Sequence, residues 1–275
     1  MAFAVELIVA GVLLIRPLGS AVSPVPVPAP AASAPAAAAL VVGDGRTVQL
    51  LSLGGRHTDG LLARVAANIG TAVDAVEAFW GTDWRHDIVV VATGSDQQFA
   101  ADAGTTAGQQ WSEIAAAAVA DRVDPARRLA VGQRIVFAPG ASGMSDAALR
   151  IVLGHELFHY AARADTALDA PRWLTEGVAD FVSRPRTPVP IAAAPPATLP
   201  TDADLDAPGS RRSLAYDRAW WFARFVADTY GTTSLRGLYL RACGAGHTDL
   251  PTAVREVLGT DLTGLRARWE RWLTR

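Results

Sequence analysis

The stretch His155-Glu156-Leu157-Phe158-His159 constrains this chain more than any other, because it sets three ionisable side chains inside an otherwise apolar segment. Leu149, Val152, Leu153 and Leu157 recur at helical spacing, so the segment reads as a helix whose apolar face must be buried. A fold that buries this helix must also give the His and Glu groups partners, since unpaired polar groups are costly away from water. Residues four apart differ by about 40° around a helix axis and by about 6 Å along it, so both imidazoles can approach one cation from the same face. Glu156 stands beside them. Its carboxylate is placed to take a proton from water that a zinc ion would hold. Cys243 is the only cysteine, which excludes a cysteine metal site and any intrachain disulfide.

A catalytic zinc site needs a third protein ligand and one open position. Glu176 answers that need. It lies in Trp173-Leu174-Thr175-Glu176-Gly177-Val178-Ala179-Asp180-Phe181, an apolar segment in which a lone carboxylate calls for a cation. Asp180 follows one helical turn later, where it can accept the ring N–H of a ligand histidine and fix its tautomer. The spacing predicts one helix capped by Ser145 or Asp146 and running to about Ala162. It predicts a second from Pro171 or Arg172 that ends before Pro185.

His-Glu-x-x-His followed on a second helix by Glu-x-x-x-Asp resembles the gluzincins, the thermolysin-like zinc metallopeptidases. The likeness is greatest to peptidase-MA-like domains of exported bacterial proteins, in which Leu-x-Glu-Gly-x-Ala surrounds the third ligand. The specific part covers residues 149–182. The resemblance implies a zincin-like α+β fold, zinc, peptide-bond hydrolysis, and a sheet whose edge strand receives an extended substrate. Carried over by position, His155, His159 and Glu176 would be metal ligands, Glu156 the general base, and Asp180 the partner of His155. The Gly-x-Met-Glu-Asn segment of zinc aminopeptidases is missing, which favours an endopeptidase. Such enzymes use a Tyr or His to stabilise the oxyanion, and Tyr216, in Ala215-Tyr216-Asp217-Arg218, resembles the tyrosine that opens the following helix in related domains, which makes it the candidate. His247, in a Gly-rich loop, is its rival for that role.

The rest of the chain supplies the scaffold. Residues 7–15 form an unbroken apolar run that suits the core of a signal peptide and is short for a membrane span, so 1–21 reads as a leader or a retained anchor. Residues 22–39 are a Pro/Ala-rich linker. The expected domain is 40–275, placed outside the cytoplasm, either secreted or membrane-anchored. Strands are predicted at Thr47–Leu53, Asp87–Ala92, Ile114–Ala120 and Gln133–Ala138, with a helix at Asp59–Trp80. These make a small mixed sheet packed on the active-site helix. Residues 184–212 read as a surface loop, and Leu214–Tyr230 and Leu250–Leu273 as helices, so the C-terminal half is mainly helical.

A net charge of −2 over 275 residues gives no electrostatic footprint for nucleic acid. The expected partner is a peptide or protein substrate, and no oligomeric state is fixed. The competing function is a zinc- or substrate-binding surface module without turnover.

Overall fold

The computed structural model describes residues 36–104, 114–189 and 198–274. The expected leader and most of the linker lie outside them. Five strands form one mixed sheet: β1 (Ala36–Val42), β2 (Arg46–Ser52), β3 (Asp87–Ala92), β4 (Ala116–Val119) and β7 (Arg134–Phe137). Their order is β1-β2-β3-β7-β4. The pairs β2/β3 and β3/β7 are parallel, whereas β1/β2 and β4/β7 are antiparallel. β5 (Arg122–Asp124) and β6 (Leu129–Val131) make a separate hairpin.

Alternation along the strands explains what each face of the sheet covers. Val90, Ala92, Ala116, Ala118, Ile135 and Phe137 belong to the main core, packed with α1 (Arg56–Trp80) and α3 (Asp146–Ala162). Val91, Ala117, Val119, Val136 and Ala138 point the other way, against Phe99 and Ala103 of α2 (Asp96–Ala103). Alanine is a poor strand former by propensity. In β4 the small side chains of Ala116 and Ala118 leave room for α3 to lie close, and tertiary packing overrides propensity. Ser145 caps α3 by accepting from the Ala148 N–H, as its sequence position predicts.

The C-terminal half is helical: α4 (Arg172–Ser183), α5 (Asp202–Leu205), α6 (Ser210–Tyr230), α7 (Thr232–Cys243), α8 (Leu250–Leu258) and α9 (Leu262–Leu273). Several expectations need correction. Among the described residues, β1 overlaps the end of the expected linker, because it pairs along its full length with β2. The predicted 184–212 loop contains α5 and the first turn of α6. The expected helix at Leu250–Leu273 is two helices, since Gly259 closes α8 in the left-handed region at φ 63° and Asp261 caps α9. The helices α2 and α7 and the β5–β6 hairpin were not predicted.

Candidate metal centre

The helix α3 brings His155 and His159 together, and α4 lays Glu176 against them. One ligand atom from each of the three lies within 4.8 Å of the others. The Nε2 atoms of His155 and His159 are 3.1 Å apart. Glu176 Oε2 is 3.1 Å from His155 Nε2, and its Oε1 is 3.5 Å from His159 Nε2. All three residues are buried, none more than 4% exposed. This buried His-His-Glu group can hold a metal ion.

Electrostatics points the same way. Asp180 Oδ1 is 2.9 Å from His155 Nδ1, and a carboxylate can only accept there, so the ring proton sits on Nδ1. The neutral ring then presents an Nε2 lone pair to a second ring nitrogen and to a carboxylate oxygen. His155 Nε2 and the Glu176 carboxylate, two acceptors facing one another, need a proton or a cation between them. Burial works against a charged His155, but the Asp180 and Glu176 carboxylates outweigh it and raise its pKa to about 10. Burial would likewise push the Glu176 carboxyl up, yet His159 and His155 hold it down to about 2. The pocket attracts positive charge, and a metal ion can take the place of the proton.

Glu156, on the same helix, is fully buried. Its Oε2 accepts the backbone N–H of Ala118 at 2.6 Å. That N–H points away from β7 and toward the helix, so the carboxylate is anchored to the edge strand of the described sheet. Nothing in the sequence marked Ala118 as its partner, because a backbone donor carries no residue signature.

Two supports come from farther along the chain. Asp202 of α5 accepts the N–H groups of Arg172 and Trp173 at 3.2 and 3.0 Å, capping α4 from outside and fixing the helix that carries Glu176. Beyond Asp180, Arg184 pairs with Asp180 Oδ2 at 2.8 Å and with Asp217 Oδ1 at 3.0 Å. The i,i+4 spacing of Asp180 and Arg184 was a readable signal for the first of these pairs.

Tyr216 sits in the second turn of α6 and is 6% exposed. Burial raises its pKa well above the usual value, with the Glu176 and Asp180 charges adding to the effect. His247 lies elsewhere. Its Nε2 is 3.2 Å from Asp169 Oδ1 at the surface, and no described contact joins it to the triad.

Compared with known proteins, the chain matches no family model and no curated protein sequence. Among the described residues, no helix is long and apolar enough to cross a membrane.

Proposed function

We propose that the chain is a zincin-like, zinc-dependent peptide hydrolase that works outside the cytoplasm, with His155, His159 and Glu176 as ligands. The observation that carries the reading is the ligand spacing. Corners of a tetrahedron around an ion at about 2.0–2.1 Å are about 3.3–3.4 Å apart. The two ring nitrogens, 3.1 Å apart, and Glu176 Oε2, 3.1 Å from His155 Nε2, lie close to that value, while the other Glu176 oxygen is 3.5 Å from His159 Nε2, so the carboxylate faces both rings. Two imidazoles and one carboxylate leave the fourth corner open, the pattern of a catalytic site, whereas structural zinc sites close it.

Zinc bound there supplies Lewis acidity toward water and toward the substrate carbonyl. The chain's own groups do the rest. Asp180 keeps the proton of His155 on Nδ1, leaving Nε2 free as a ligand. Glu156, held in place by the Ala118 N–H, accepts a proton from the attacking water and returns it to the departing amine nitrogen. Tyr216 donates its phenolic hydrogen to the carbonyl oxygen as negative charge develops. A peptide substrate is supported by the His-Glu-x-x-His and Glu-x-x-x-Asp pattern and by the placing of Glu156 against an edge strand.

Metal analysis and a peptide-library digest of the parent and Glu156→Gln proteins test the reading. The parent should carry about one zinc per chain and cleave peptides. The variant should keep its zinc and lose at least about 10²-fold in turnover. Protein that contains no zinc and takes up none on titration would end the proposal. Zinc-loaded parent that cleaves nothing would leave the binding module as the better description.

A further inference from the structure

We infer that Arg184 is a positioning residue for the metal centre, coupling the ligand His155 to helix α6 through Asp180 and Asp217. This rests on the metal-site reading above. The chain of contacts is continuous: His155 Nδ1 to Asp180 Oδ1 at 2.9 Å, Asp180 Oδ2 to Arg184 Nη2 at 2.8 Å, and Arg184 Nη1 to Asp217 Oδ1 at 3.0 Å. Asp180 therefore gives one carboxylate oxygen to the ligand ring and keeps the other beside the Arg184 guanidinium as an ion pair without hydrogen-bond alignment. A carboxylate hydrogen-bonded at one oxygen and drawn to a cation at the other resists rotation, which helps to hold the ring it orients.

Arg184 is itself fixed in three ways. It is drawn to carboxylates on two different helices, and its guanidinium lies over the Trp220 ring at 5.1 Å from the centroid. Arg224 covers the same ring at 5.0 Å. The planar fork of arginine can meet Asp180 with one nitrogen and Asp217 with another while stacking on an indole. A lysine ammonium is a single point charge and cannot span both carboxylates in that way. Asp217 follows Tyr216 directly in the sequence, so the same tether sets the position of α6 where it carries the proposed oxyanion donor.

The test is zinc affinity, read by competition with a chromophoric chelator, alongside thermal melting of the metal-free protein. Arg184→Gln removes the charge and is too short to bridge the two carboxylates. It should bind zinc about tenfold more weakly than the parent, the lower end of the range for lost outer partners of a ligand histidine. Arg184→Lys should recover part of that loss. A role in packing alone would lower the melting temperature and leave zinc affinity at the parental value, and that result overturns the inference. If Arg184→Gln does not fold, Asp217→Asn decides: weaker zinc binding supports the tether, and parental binding rejects it. A parent that binds no zinc would instead sink the metal reading itself.

Discussion

Gly177 lies next to the third proposed ligand, and replacing it with alanine should loosen the site by prying two helices apart. A Cβ at this position would meet the backbone of α6 at 2.5 Å from Ala219 O and 2.7 Å from Ala219 C, with Ala219 Cβ at 3.0 Å. Backbone cannot swing away as a side chain can, so α4 and α6 must separate by several tenths of an ångström. Alanine recovers about 0.5–1 kcal/mol over glycine inside a helix, while overpacking of this kind costs about 1–3 kcal/mol. The net is a loss of up to about 2.5 kcal/mol, which for a domain of this size lowers the melting temperature by up to about 10 °C. Gly60 supplies the control. It is exposed within α1, and an added Cβ there meets nothing within 4 Å, so Gly60→Ala should raise stability by about 0.5–1 kcal/mol. Calorimetry on the metal-free proteins measures both. Because Gly177 adjoins Glu176, and Ala219 is three residues from Tyr216, Gly177→Ala should also weaken zinc binding and slow turnover, and Gly60→Ala should do neither. Should Gly177→Ala melt at or above the parent with unchanged zinc affinity, the close helix approach would not be what spaces the site.

Three further outcomes follow from the geometry. Tyr216→Phe should keep its zinc but lower kcat about 10²-fold with little change in KM, and His247→Ala should be silent; steady-state kinetics on a cleaved peptide reverses the assignment if the effects are exchanged. Metal-free protein should lose stability as pH rises from about 6.5 toward about 10. His155 is held above its ordinary value in the fold, so its protonated contribution is complete below the unfolded pKa and gone above the folded one. Melts across that window should slope downward without zinc and flatten with it, and a flat metal-free profile would contradict the protonated pair. Finally, if residues 1–21 act as the proposed leader, full-length protein recovered outside the cell should begin near Val22 by mass spectrometry, whereas an intact Met1 on membrane-bound protein would indicate an anchor.

The local features of the site were legible because local chemistry sets them. Ser145 starts α3, Pro171 and Pro185 flank α4, and the β-branched run Asp87–Ala92 is β3 over its full predicted length. The convergence of His155, His159 and Glu176 could be anticipated because two residues share one helix turn and the third is an acid in apolar surroundings. What escaped prediction depends on distant partners. β1 is an alanine-rich strand that exists because β2 lies beside it, and the cap on α4 comes from Asp202, about thirty residues away in sequence. The hairpin β5–β6 is too short for periodicity to register. Asp217 shows no sign in the sequence of its pairing with Arg184, because the two are brought together only when α4 packs on α6.

The buried carboxylates also bear on the valence of the ion. Glu156, Glu176 and Asp180 are almost wholly withdrawn from water, and among the described contacts Arg184 is the guanidinium that meets them. With neutral histidines the carboxylates outnumber the guanidinium, which Asp217 also draws on. Unbalanced charge is expensive in so dry a place. The cluster therefore holds an excess of negative charge that a bound cation would offset, and a multiply charged ion would offset more of it than a monovalent one. Under the metal reading, the nitrogen and oxygen donors choose the ion by softness and geometry, and the surrounding carboxylates favour one of higher charge.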